Sequence, residues 1–136
     1  MDQQSIVELL HEQKFRLTQE RQALLELFVS TEKMYTPAEW HEVARNHGVR
    51  VGLTTVYRLL EVVTKVGLAS PFLMDGNIYY TFCSGNHHHH FICLDCHKVL
   101  DLYECPAFES VPEGCTVTDH RVDLFGTCAR CQGDAH

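Results

Sequence analysis

No cysteine occurs before residue 83 of the 136, so neither a disulfide framework nor a thiolate metal site can lie in the first half of the chain. Cations are also scarce. Eleven Lys and Arg against eighteen Asp and Glu give a net charge of −7, which excludes nucleic-acid binding by bulk charge alone. Apolar runs last only a few residues, which excludes a membrane-spanning helix. The opening Met1-Asp2-Gln3-Gln4 has neither the basic nor the apolar stretch of a secretory signal, so the expectation is a cytoplasmic protein with no membrane contact. With 45% hydrophobic and 21% charged residues the chain is not disordered, and its length suits one domain or two small halves.

What the sequence does contain is unevenly placed. Residues 1–70 carry eight basic and nine acidic side chains, and residues 71–136 carry three and nine. All seven cysteines follow residue 82, and seven of the ten histidines follow residue 86. In a reducing compartment such thiols bind metal more often than they pair. The shift in composition divides the chain into a domain over residues 1–82, a hinge over 83–87 and a second domain over 88–136. The fold class is α+β.

The first half has helical periodicity. Ile6, Leu9 and Leu10 share a face, and a second helix after Thr18 points Leu24, Leu25 and Phe28 inward. Thr36-Pro37-Ala38-Glu39 is a capping box with proline at the first helical position, ahead of Trp40, Val43 and Ala44. Gly48 ends that helix, and Val56, Leu59, Leu60 and Val63 recur at helical spacing until Gly67. Asp75-Gly76 then joins two extended runs, Pro71–Met74 and Asn77–Phe82. A hairpin directly after a helix-turn-helix is a wing, and the polar residues Thr54, Thr55, Tyr57 and Arg58 suit the base-reading end of a recognition helix. The same pattern also fits any small α+β domain.

The second half reads as short strands at Phe91–Cys93, Val99–Leu102 and Thr116–Val117 leading through Arg121–Phe125, with a short helix between Pro106 and Val111. Cys93-Leu-Asp-Cys96 and Cys128-Ala-Arg-Cys131 are two C-x-x-C knuckles, and four thiolates on two turns suit structural Zn²⁺. A redox dithiol would need one pair, and neither pair has a βαβ context. In the run His87-His88-His89-His90 alternate residues face opposite ways on a strand. Cys83, His88 and His90, with Asp101 as fourth ligand, would form a regulatory site that fixes the angle between the halves. His87, His89, Glu109 and His120 would form a third site, with Glu104 as the alternative carboxylate. A surface histidine loop with adventitious affinity is the competing reading.

An enzyme fits poorly. His41-Glu42 opens like a zincin motif, but position 45 is Arg45 and His47 is out of register. Cys105 and Cys115 lack an evident base and read as core thiols.

Several stretches together resemble the ferric uptake regulator superfamily of bacterial metal-dependent repressors. They are Arg16-Leu17-Thr18 with Arg21, the run Leu53–Leu60, the run His87–Cys96, and Asp119-His120 before Phe125–Cys128. The resemblance covers nearly the whole chain. It implies a winged helix-turn-helix domain, a small C-terminal α/β dimerisation domain with metal sites, and a homodimer that binds double-stranded operator DNA when its regulatory metal is present. It also implies that Arg16 and Arg21 touch the DNA backbone or minor groove. Cys83, His88 and His90 look like the sensing ligands of the zinc uptake regulator branch. Tyr35 stands where iron and peroxide sensors place a histidine, and Thr81 or Phe82 where they place a carboxylate. A soft thiolate in place of a hard carboxylate shifts preference toward Zn²⁺, with Fe²⁺ or Mn²⁺ as the alternatives at the regulatory site.

Overall fold

A computed structural model describes residues 3–83, 88–105 and 111–133 and divides the chain into two compact units, Met1–Asn86 and His87–His136. The first holds helices α1 (Gln3–Glu12), α2 (Gln19–Ser30), α3 (Pro37–Asn46) and α4 (Leu53–Lys65), then strands β1 (Ala69–Met74) and β2 (Asn77–Phe82). Among the described residues no helix is long and apolar enough to cross a membrane.

Local chemistry sets the helix boundaries. The Thr18 hydroxyl accepts the Arg21 N–H at 3.2 Å. At α3 the Thr36 hydroxyl accepts the Glu39 N–H at 3.2 Å, and the Glu39 carboxylate accepts the Thr36 N–H at 3.0 Å. That reciprocal cap satisfies two donors the helix cannot. The ends of α3 and α4 share one motif, with Val49 and Gly48 donating to Ala44 and Arg45, and Leu68 and Gly67 to Val63 and Thr64. Gly48 and Gly67 take the left-handed conformation this requires. The end of α1 repeats it, but with Lys14 at φ +59°.

The inner faces of these helices meet in one core that includes Ile6, Leu10, Phe15, Leu24, Leu25, Phe28, Trp40, Leu59 and Val63. Each such side chain contributes about 1.5–3 kcal/mol by leaving water. Trp40 is the hub. Its ring lies 5.0 Å from Phe28 and 5.1 Å from Tyr35, and its indole N–H donates to the Tyr80 carbonyl at 3.0 Å. Tyr35 and Tyr80 exchange backbone hydrogen bonds of 3.1 and 2.8 Å, tying the hairpin to the chain before α3. Asp75 and Gly76 both have positive φ, so the strands reverse in a tight two-residue turn.

The second unit holds β3 (His89–Cys93), β4 (Val99–Leu102), β5 (Asp123–Gly126) and the short helix α5 (Ala129–Gly133). Strand order is β4-β3-β5, with β3 antiparallel to β4 and parallel to β5. Three features differ from the sequence reading. Thr116–Val117 forms no strand; both residues are exposed, and β propensity does not suffice without a partner edge. Strand β5 starts at Asp123 rather than Arg121. Helix α5 is too short to leave a periodic signal. The helix expected between Pro106 and Val111 falls mostly outside the described residues.

Candidate metal centres and DNA-binding face

The four knuckle cysteines converge within the second unit. Cys93 ends β3, and the turn after it is closed by the His97 N–H donating to the Cys93 carbonyl at 2.9 Å. Cys128 immediately precedes α5 and Cys131 lies within it. The Cys93 and Cys131 sulfurs are 3.7 Å apart, those of Cys96 and Cys128 3.9 Å, and all four lie within 4.8 Å of one another. Four sulfurs bound at ~2.3 Å around a tetrahedral Zn²⁺ stand about 3.8 Å apart, so the donor set fits such an ion. Electrostatics agree. Burial pushes the Cys93 thiol up, but backbone N–H groups of Cys128, Cys96 and Asp95, with the Cys96 side chain, outweigh it and bring it down to about 6. Cys131 is pushed up, first by the Cys128 side chain and then by burial and its other sulfur neighbours. Four crowded thiols cannot all ionise without a cation among them.

Strand β3 sorts the histidines by face. His88 and His90 are buried, with rings 4.7 Å apart, and their Nε2 atoms lie 3.4 and 4.0 Å from Asp101 Oδ1. Register explains this, because Asp101 on β4 and Asp123 on β5 both pair with His90. Asp123 Oδ1 lies 3.4 Å from His90 Nδ1, and sequence reasoning had no sign of it because the strand pairing was unknown. The His90 pKa is lowered, by burial first and then by His88, with Asp123 and Asp101 opposing; a neutral imidazole is the form that ligates metal. In the first unit Cys83 follows β2, and its N–H donates to the Leu68 carbonyl at 2.9 Å.

On the other face of β3, the rings of His89 and His120 are 5.0 Å apart. Among the described residues the third group there is Cys105: His89 Nε2, Cys105 Sγ and His120 Nε2 lie within 4.8 Å of one another, and Glu104 is not part of the group. His87 and Glu109 lie outside the described residues. Cys105 and Cys115 are exposed, which corrects their reading as core thiols.

In the first unit Thr54, Tyr57 and Arg58 are exposed along α4 and Thr55 is half-buried, opposite the buried Val56, Leu59, Leu60 and Val63. Tyr57 opens onto a concavity shared with Thr36–Glu39 and the wing residues 76–80. Arg58 pairs at 3.1 Å with exposed Glu61, a contact weak enough to be exchanged for another anion. Arg16 is exposed, whereas Arg21 donates to the Arg16 carbonyl at 3.0 Å and packs 5.0 Å over the Phe15 ring, so it also supports the loop. Arg50 joins Arg16 and Arg21 around one polar concavity at the start of α4. The sequence reading passed over it, although an arginine just before a recognition helix is a signal in itself.

A winged helix-turn-helix joined to a small sheet with clustered metal ligands defines a metal-responsive DNA-binding regulator. The profile of the Ferric uptake regulator family matches residues 12–125. The zinc uptake regulation protein of Mycobacterium tuberculosis is 32% identical over 123 residues, covering 86% of this chain and 95% of that protein. The ferric uptake regulation protein of Bacillus subtilis is 29% identical over 135 residues, covering 91% and 90%. The structure of the ferric uptake regulator from Francisella tularensis with iron matches with a TM-score of 0.62 at 24% identity, covering 87% of this chain and 95% of that one. The chain therefore belongs to the ferric uptake regulator family. It is a metal-responsive transcription regulator rather than an enzyme.

Proposed function

We propose that the protein is a homodimeric, cytoplasmic repressor that binds double-stranded operator DNA when Zn²⁺ is bound at Cys83, His88, His90 and Asp101. Cys93, Cys96, Cys128 and Cys131 hold a second, structural Zn²⁺. Residues 1–82 are the DNA-binding domain, 83–87 the hinge and 88–136 the dimerisation domain. Thr54, Thr55, Tyr57 and Arg58 read bases, while Arg16 and Arg21 position the protein on the backbone.

The observation that carries this reading is the placement of His88, His90 and Asp101 on one face of the sheet. The chain places Cys83 five residues before His88, so a thiolate on the wing domain is tethered within about 17 Å of the imidazoles. One thiolate and two imidazoles favour Zn²⁺ over harder ions. Zinc supplies a bridge between groups on either side of the hinge, and its coordination number is completed by the protein, as in a sensor rather than a catalyst. The exposed Leu124 and Phe125 on edge strand β5 suit burial against a second copy. DNA affinity then rises by population shift, with couplings typically ~1–3 kcal/mol.

The test is metal analysis of the purified protein, then binding to a palindromic A·T-rich duplex titrated separately with Zn²⁺, Fe²⁺ and Mn²⁺. Zinc should give the largest gain. A larger gain with Fe²⁺ or Mn²⁺ would assign another signal to the same fold.

A further inference from the structure

Helices α1, α3 and α4 end in the same bond pattern, but α1 does so without glycine. The Phe15 N–H donates to the Leu10 carbonyl at 3.0 Å and the Lys14 N–H to that of His11 at 2.9 Å, as Val49 and Gly48 do at α3 and Leu68 and Gly67 at α4. Gly48 and Gly67 take φ values of +76° and +82° without steric conflict, whereas Lys14 holds +59° with a side chain attached. That side chain is exposed and makes no ion pair among the described residues. Backbone strain for which the fold gains no such contact points to a role outside the fold.

The surroundings of Lys14 define that role. Phe15 is buried, and the loop exposes a cation on either side of it, Lys14 and Arg16. These two line one concavity with His11. Arg16 also lines a second concavity with Arg21 and Arg50 at the start of α4, where Glu20 is an acidic neighbour. Lys14, Arg16, Arg21 and Arg50 are four of the eight basic residues among the first 70, in a half whose balance is −1, so attraction for a polyanion is concentrated along this path. We propose that Lys14 is a further DNA-backbone contact, set beyond Arg16 from the recognition helix, so that each DNA-binding domain engages phosphates over a longer stretch than α4 and Arg16 reach. A lysine suits the position, because its ammonium attracts phosphate as a point charge on a flexible stem and needs no fixed angle of approach.

The assignment rests on residues 1–82 being a DNA-binding domain, and the test keeps the two separable. Full-length, zinc-loaded protein is titrated with the palindromic A·T-rich duplex and with a random-sequence duplex at several salt concentrations, for the parent, Lys14→Gly, Lys14→Asn and Lys14→Arg. Gly and Asn both accept the left-handed backbone, so a variant that is no less stable separates loss of the cation from loss of structure. Both should bind the two duplexes more weakly to the same extent and lower the slope of log K against log salt by about 0.9 per protomer. Lys14→Arg should keep the parent slope. Lys65→Gln removes the same charge from the far end of α4 and should leave the slope as it is. An equal loss in Lys65→Gln would reduce the effect to bulk charge and overturn the contact. Parent slopes in Lys14→Gly and Lys14→Asn, alongside a reduced slope in Arg16→Ala, would overturn the Lys14 contact alone. Parent-like binding by Arg16→Ala and Arg58→Ala as well would overturn the DNA-binding reading and the contact with it.

Discussion

His90 Nδ1 lies 3.4 Å from Asp123 Oδ1, while its Nε2 faces Asp101 across the neighbouring strand. One carboxylate thus stands beside Nδ1 and the other beside Nε2, the nitrogen proposed to ligate, an arrangement in which an outer partner tunes tautomer and basicity. Asp123→Asn should lower affinity at the regulatory site by about 10–100-fold. Isothermal titration with Zn²⁺ on protein that retains structural zinc checks this; unchanged affinity would leave Asp123 only its 2.9 Å contact with Arg121.

The four-cysteine cluster brings α5 back to β3 across the 31 residues between Cys96 and Cys128, in a unit with few buried apolar side chains among its described residues. Cys96→Ser should therefore yield aggregated or monomeric protein lacking one zinc equivalent, because binding at such a site is linked to folding. Metal content and sedimentation read the outcome. A stable dimer without metal would refute the structural role.

Legibility differed between the two halves for a physical reason. Helices announce themselves through local spacing and caps, so Thr18, the Thr36 box, Gly48 and Gly67 were readable in sequence, as was the Asp75-Gly76 turn. Cysteine spacing exposed the knuckles in the same way. Asp123 and Cys105 depend on which strands pair and where a long connection returns, and neither leaves a periodic mark. Composition alone also misassigned Cys105 and Cys115 as core thiols: both are exposed, and Cys105 lies beside His120, a base that only the fold brings near.

Lys14 adopts the left-handed conformation that glycine fills at the equivalent ends of α3 and α4. A side chain there costs about 1–2 kcal/mol relative to glycine, partly offset by glycine's greater freedom in the unfolded chain. Lys14→Gly should thus raise stability by roughly 0.5–1 kcal/mol. Chemical denaturation measures it, and a destabilised variant would mean that the lysine side chain contributes more than its backbone costs.

On the DNA-binding face, Arg58→Ala should cost ~1–3 kcal/mol on a cognate duplex and relax discrimination against a scrambled one. Arg16→Ala should weaken both duplexes alike and reduce the salt slope by about one. Binding measured across salt concentrations separates the two roles. If both variants bind like the parent, α4 is not the recognition helix.

The central claim is that zinc at a site including Cys83 controls DNA affinity. The most direct measurement is the Kd for a palindromic duplex, with and without a regulatory equivalent of Zn²⁺, for the parent and for Cys83→Ser, both holding structural zinc. The parent should tighten by about 5–150-fold, the range of ordinary allosteric coupling, and the folded variant should lose most of that gain. Equal tightening in both proteins, or none in the parent, would contradict the account.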